Sequence, residues 1–497
     1  MASTLAKDEA GNPGGRTFFG HPRGLATLFM TEMWERFSYY GMRALLVLYL
    51  TAKVSDGGLA MNGATATALY SVYVAAVYLA SMPGGWLGDR IWGPRKTVAV
   101  SAVIIMIGHA LLATGVEALF FLGLVCILLG SGFLKANIST MVGQLYKGPQ
   151  DPRRDGGFTV FYMGINVGGF LAPLVCGTAG QLVSWHLGFG LAALGMALGV
   201  IQFLVGTKHL AAESSVVPNP LSPQERTRAI TTAAVIAVVA VVYLAALHFT
   251  GVLSLNVVLL TMGVVGLAVP TYYFVRMRRD SEVTLDEKRK LTAYIWFFVA
   301  AALFWMIFDQ AGSTLNLFAE KSIPKNVFGF AYPSTWFQAV NPFFIMALAP
   351  VLAAIWVKLG RRNPTTTTKF SLGVIGAGIS FVIMAYTAQQ AAHGGGGLGA
   401  LLVLVYLVQT VSELCLSPVG LSVTTKLAPA KYASQLMGVW FLAVTAGDCV
   451  FAIAQLVIGK GVSTPTGFLT QGVIAAVAGV IFLSFRRKVQ PLMGEVK

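Results

Sequence analysis

Inside the otherwise apolar stretch TEMWERFSYYGMRALL, the residues Glu32, Glu35, Arg36, Tyr39, Tyr40 and Arg43 recur at intervals of three and four. On a helix that spacing lines them along one face. Lys135, Asp309, Glu413 and Asp448 add four more charges within apolar runs, making eight ionisable residues in segments long enough to cross a bilayer. On insertion scales each costs about 2.5 to 3.5 kcal/mol at a helix centre, so eight facing lipid unpaired would cost roughly 20 kcal/mol or more. They must face one another or a wet cavity. Five are acidic and three basic, so the set is negative when fully ionised and suited to holding protons or cations. The stripe on the first segment reads either as the wall of a pathway or as an ion pair tying that helix to a neighbour.

These residues need helices to carry them, and composition says what kind. The chain has 497 residues, of which 56% are hydrophobic and 11% charged. Soluble domains carry about 25% charged residues, which excludes an ordinary soluble enzyme. A helix needs roughly 20 apolar residues to cross the hydrocarbon layer. That ruler predicts a cytoplasmic tail over 1–24, a six-helix bundle over 25–206, a cytoplasmic linker over 207–228, an extra helix pair over 229–275, a second linker over 276–290, a second six-helix bundle over 291–485 and a cytoplasmic tail over 486–497. The runs are too long and too uniformly apolar for barrel strands of about ten residues. The expected fold is an all-α integral membrane protein with 14 transmembrane helices.

An even number of spans puts both termini on one side, and 28 of the 35 lysines and arginines then fall on that side. The positive-inside rule makes it cytoplasmic, so the net charge of +15 records orientation rather than affinity for nucleic acid. The first 24 residues hold no signal-peptide core. Cys126, Cys176, Cys415 and Cys449 lie far apart in apolar runs and read as small buried side chains. No nucleophile with a base, HExxH pattern or Cys/His cluster appears in the spans, so neither an enzyme nor a metal site is expected. Two six-helix halves joined by a long connection point to a transporter that rocks one half against the other.

The motifs carry a resemblance. The E-x-x-E-R pattern of Glu32, Glu35 and Arg36, GGWLGDRIWGPRK at 84–96, GSGFLKANIS around Lys135, FYMGINVGGFLAP at 161–173, FWMIFDQAGSTLN around Asp309, AVNPFF around Asn341 and SELCLSPVGLS around Glu413 run in order through the chain. Together they resemble the proton-dependent oligopeptide transporters of the major facilitator superfamily, and the middle pair is similar to that of the bacterial members. The resemblance implies a major facilitator fold in a bacterial inner membrane and a symporter importing di- and tripeptides by alternating access. It implies no cofactor beyond the proton gradient, with peptides, protons and the lipid bilayer as partners of a chain that functions as a monomer. It assigns Glu413, with Asn166 and Asn341, to the peptide's amino terminus, and Arg36 and Lys135, with Tyr40, to its carboxylate. Tyr39, Tyr78, Trp305 and Trp440 become side-chain pockets, although aromatic residues in membrane helices equally serve packing. Lys135 is implied to pair with Glu413 in the empty protein and Arg43 with Asp309 to close the outer side. Proton coupling and gating fall to Glu32, Glu35, Arg36, Arg43, Lys135, Asp309 and Glu413. A same-fold alternative is a proton-coupled transporter of another anion or zwitterion, such as nitrate, a drug or an amino-acid conjugate; keeping Glu413 together with the asparagines favours a zwitterion.

The physics of single motifs adds expectations. Asp89 is suited to meeting a helix N-terminus, and the Asn166 amide can either join helices or meet a substrate. Where many bacterial relatives carry Glu, this chain has Asp309, one methylene shorter, so a longer or water-mediated bridge to Arg43 is expected. The second helix has Ser71 in the region where animal members carry histidine, which removes histidine coupling there. His109 is expected to be a hydrogen-bonded packing residue. Asp448 matches nothing in the pattern.

Overall fold

The computed structural model describes residues 17–147, 151–327 and 329–494. The helices run in chain order as α1 (Gly24–Thr51), α2 (Gly63–Leu87), α3 (Pro94–Leu112), α4 (Glu117–Gln144), α5 (Arg154–Ala172), the short α6 (Thr178–Leu182) and α7 (Trp185–Gly206). A middle pair follows, α8 (Pro223–Phe249) and α9 (Leu255–Arg279). Then come α10 (Leu285–Phe308), the short α11 (Thr314–Ser322), α12 (Val340–Leu359), α13 (Thr366–Ala392), α14 (Leu398–Leu427), α15 (Ala433–Ile458) and α16 (Pro465–Val489). A two-residue hairpin, β1 (Asn326–Val327) against β2 (Phe330–Ala331), precedes α12. Among the described residues 13 helical segments are long and apolar enough to cross a membrane. The first helix, α1, is equally long and carries Glu32, Glu35, Arg36 and Arg43 instead.

Local sequence sets the helix ends. Pro94 and Pro465 open α3 and α16 at a position whose N–H needs no partner. Thr365 and Thr464 accept N–H groups of the first turns they precede. Thr284 and Glu287 cap α10 reciprocally.

The chain forms two compact units. One holds the described residues of Met1–Met42, Ala80–Ala172 and Phe189–Arg226, the other those of Arg43–Leu79, Pro173–Gly188 and Thr227–Lys497. In the first unit glycines set the helix approach. A Cβ on Gly108 would lie 2.8 Å from the Gly123 carbonyl oxygen, and one on Gly168 would lie 2.3 Å from that of Met33. Such close backbones are how membrane helices gain dispersion contact where no hydrophobic effect drives them together. Asn137 of α4 donates across to the Gly84 carbonyl at 2.9 Å. His109 is fully buried among these helices, but neither ring nitrogen has a hydrogen-bond partner among the described residues. The expected hydrogen bond is therefore corrected: α3 and α4 pack here through glycine and aliphatic side chains, and helix backbone groups are already engaged.

The linker after α7 folds onto the turn Gly88–Trp92 within this unit. Asn219 N–H donates to the Asp89 carbonyl at 2.9 Å, Arg95 reaches Ser214 Oγ at 2.9 Å and the Ala211 carbonyl at 2.7 Å, and Arg90 pairs with Glu225 at 2.7 Å. The positive φ of Gly93, 77°, turns the chain into Pro94 beneath this strap.

In the second unit α13 and α16 cross at Gly378 and Gly472, and α10 and α15 at Gly447. The middle helix α9 rests on α15, where Cβ atoms on Gly263 and Gly266 would meet Ile453 and Cys449. Its neighbour α8 has no buried residue, and Val235, Ile236, Val238, Val239, Val241 and Val242 stand exposed. A helix apolar all round and exposed along its length is stable only in a hydrocarbon phase. Polar bonds in this unit join early and late parts of the chain: Asn316 donates to the Ala44 carbonyl at 2.9 Å, Thr445 to that of Ala75 at 2.9 Å, and Gln181 to Glu320 at 2.7 Å.

Candidate functional site

The α1 stripe folds as its spacing predicts, and its charges are paired. Arg36 Nε lies 2.8 Å from Glu32 Oε1 and 2.8 Å from Glu35 Oε2, so one guanidinium serves two carboxylates. Glu35 is completely buried, and its Oε1 accepts from Ser131 Oγ at 2.8 Å. Lys135 lies one turn beyond Ser131 on α4, within electrostatic reach of Glu35. The Arg36 guanidinium stands 5.7 Å over the Tyr39 ring, which meets Tyr40 edge-on. Arg36 Nη2 and Glu32 Oε2 are buried without hydrogen-bond partners among the described residues. Asn166 is also in this unit; its amide donates to the Tyr162 carbonyl one turn back at 3.0 Å, within its own helix.

The second unit holds the other candidates. Arg43 Nη2 lies 2.7 Å from Asp309 Oδ1, a direct contact that overturns the expected long or water-mediated bridge. Asp309 gains that reach because α10 ends there in the tight turn Asp309–Gly312, which carries the carboxylate toward Arg43 despite the missing methylene. Arg43 Nε donates to the Tyr70 hydroxyl, and the guanidinium sits 5.5 Å over the same ring. Gly312 makes this possible, since a Cβ there would lie 2.0 Å from the Tyr70 hydroxyl and 2.9 Å from Arg43 Nε.

Glu413 on α14 accepts from Asn341 Nδ2 at 3.1 Å, and the same amide donates to Thr410 Oγ1 at 2.9 Å. Trp305 packs edge-on to Phe308 at 5.2 Å. Tyr78 stacks on Phe441 at 6.4 Å. Trp440 is buried against Gly420 and Phe370. Asp448 is buried on α15, and Arg43 and Asp309 both act on it electrostatically.

The fold therefore brings together Glu32, Glu35, Arg36 and Tyr39 with Tyr40 beside them, then Arg43 with Asp309, and Asn341 with Glu413. Three partners were not singled out from the sequence: Ser131, Tyr70 and Thr410. A signal existed for two of them, because Ser131 precedes Lys135 by four residues and Thr410 precedes Glu413 by three, the spacing of one helix face. Tyr70 looks like any other aromatic residue of an apolar helix.

Outside the spans several charges form ordinary ion pairs. Lys431 and Tyr432 both donate to the Asp280 carboxylate and hold it well below the usual carboxylate range. Hydrogen bonds from Arg153 bring Asp151 down to about 2.

Paired charges buried on membrane-crossing helices mark a functional pathway, the feature of a membrane transporter. Residues 95–489 match the family described as PTR2, POT family. The sequence is 45% identical over 473 residues, 94% of each chain, to "Uncharacterized transporter YclF" of Bacillus subtilis (strain 168). It is 40% identical over 492 residues, 97% of this chain and 98% of the other, to the "Di-/tripeptide transporter" of Lactococcus lactis subsp. cremoris. The crystal structure of "peptide transporter POT in complex with sulfate" superposes with a TM-score of 0.91 at 45% identity, covering 96% of this chain and 97% of that one. The chain belongs to the POT family. It is a multi-pass membrane transporter of the major facilitator type and not an enzyme.

Proposed function

We propose that this protein imports di- and tripeptides together with protons by alternating access. The observation that carries the reading is the cluster on α1, where one buried guanidinium lies 2.8 Å from each of two carboxylates. Either carboxylate can take a proton and leave the other paired, which frees guanidinium hydrogen-bonding capacity for an incoming anion. Arg36 Nη2 has no hydrogen-bond partner among the described residues, so a peptide carboxylate completes it. Lys135 and Tyr40 assist at that end. Glu413, with Asn341 and Asn166, receives the ammonium, and Tyr39, Tyr78, Trp305 and Trp440 accept side chains. Arg43 and Asp309 form the outer gate, held by their 2.7 Å contact.

The named function of the Lactococcus relative supports peptides as the substrate class. The proton gradient is the driving force, and no cofactor takes part. The basic face supports a reading in which both termini are cytoplasmic, and on the same reading the chain sits in a bacterial inner membrane and acts as a monomer.

The test is reconstitution in liposomes with dialanine supplied outside. An inward proton gradient is expected to concentrate dialanine. Equal uptake with and without the gradient refutes coupling, and no uptake in either case refutes the peptide assignment.

A further inference from the structure

Asp448 has no part in the mechanism just described, yet it lies beside the outer gate. It is 1% exposed, and its Oδ2 has no hydrogen-bond partner among the described residues. Its place is set by the neighbouring Gly447: a Cβ there would lie 2.4 Å from the Ala302 carbonyl oxygen and 2.7 Å from Met306 N, so α15 lies directly on α10. Asp309 follows Met306 by three residues at the end of α10. One turn before Asp448, Thr445 donates to the Ala75 carbonyl of α2 at 2.9 Å, the helix that also supplies Tyr70 to Arg43.

The charges around Asp448 come from several helices. Arg43 on α1 and Asp309 after α10 act on it electrostatically, and Glu413 on α14 shares the fields of both. Cys449 is beside it, and α9 presents Gly266 to that cysteine. Asp309, Glu413 and Asp448 are 4%, 8% and 1% exposed, and Arg43 is the cation acting on all three. Uncompensated ionised carboxylates in an apolar interior are far less stable than protonated ones.

We propose that Asp448 is a second proton-carrying carboxyl of the outer gate, exchanging both the proton and Arg43 with Asp309. The proposal rests on the proton-coupled reading above. In the closed gate Asp309 is the carboxylate bound to Arg43, and Asp448 carries the proton. On opening, the O–H bond of Asp448 breaks and the proton bonds to the Asp309 carboxylate. The Arg43–Asp309 ion pair gives way, and Arg43 pairs with the carboxylate left on Asp448. One proton moves, one ion pair replaces another, and the charge of the group is unchanged.

The test uses the full chain in liposomes with dialanine and compares wild type, Asp448→Asn and Asp448→Glu. Asp448→Asn is expected to lower the gradient-driven accumulation ratio to unity while keeping dialanine counterflow, and Asp448→Glu to restore accumulation. One component of the protonated-carboxyl infrared band is expected in wild type at neutral pH and missing from Asp448→Asn. Full accumulation by Asp448→Asn overturns the proposal, because a carboxyl that is always protonated is well mimicked by the amide. Loss of counterflow together with accumulation, with the infrared band unchanged, also overturns it in favour of packing. Where the Asn variant does not fold, Asp448→Glu decides: a shifted carboxyl band and pH midpoint support the proposal, and unmoved values refute it. Wild-type uptake that ignores the gradient would instead sink the parent reading.

Discussion

Glu35→Gln removes one charge from the α1 cluster and little else. Glu35 Oε2 lies 2.8 Å from Arg36 Nε, and Glu35 Oε1 accepts from Ser131 at 2.8 Å. Glutamine keeps an acceptor for Ser131 but turns an N–H toward the guanidinium. Glu35 and Arg36 meet as an ion pair without hydrogen-bond geometry, and leaving a buried group one partner short costs about 1–3 kcal/mol. A buried arginine with no carboxylate at all would cost roughly 3–5 kcal/mol. Arg36 retains Glu32 at 2.8 Å, so the smaller figure governs the single variant, and the protein still folds. Glu32→Gln follows the same arithmetic. The double variant strips both carboxylates from one guanidinium, so its loss exceeds the sum of the singles by a coupling energy on the order of 1 kcal/mol. Thermal unfolding of the purified proteins measures the cycle, and liposome uptake measures the function. Glu35→Gln is expected to abolish gradient-driven dialanine accumulation and to leave counterflow measurable. Retained accumulation would sink the coupling role of Glu35, and strictly additive stability losses would refute the shared guanidinium.

Three further outcomes follow from contacts elsewhere. Tyr70→Phe keeps the ring beneath Arg43 but removes the hydroxyl that accepts from its Nε, at a cost of about 1–3 kcal/mol; an unchanged melting temperature would show that the hydroxyl does not help hold Arg43. Gly447→Val drives a side chain into backbone atoms of Ala302 and Met306 that cannot rotate aside, so a loss of about 1–3 kcal/mol or more is expected in thermal unfolding, and wild-type stability would place the crossing of α10 and α15 elsewhere. The Asp280 carboxylate is depressed in the folded protein by Lys431 and Tyr432, so its contribution is present above the ordinary aspartate range and is lost as pH falls through the folded value. Asp280→Asn should therefore melt below wild type at neutral pH, with the gap closing only in strong acid. A gap that is already closed near pH 6, roughly two units above the ordinary aspartate value, would contradict the depression.

Much of the site was readable before any coordinates. The intervals between Glu32, Glu35, Arg36, Tyr39 and Arg43 place them on one face by helix geometry alone, and the structure keeps them on one helix. The direct Arg43–Asp309 contact was not readable, because side-chain length suggested a gap that the turn after α10 closes. The missing partner of His109 was equally hidden, since hydropathy says that a residue is inside and not what surrounds it.

Sequence by itself determined the membrane-crossing helices, the residues that break their apolar rule and the side on which the basic loops gather. Those properties follow from local chemistry, namely the thickness of the hydrocarbon layer, the helical repeat and the cost of buried charge. Tertiary structure alone decided that Ser131 meets Glu35, that Tyr70 holds Arg43, that Asn341 divides its amide between Thr410 and Glu413, and that α8 buries no residue while α9 packs on α15. The physical reason is that the membrane helices other than α1 are largely apolar on every side, so no amphipathic stripe in their sequence says which face meets a neighbour. That choice falls to glycines that let two backbones touch, and the fit between two such surfaces exists only once both are in place.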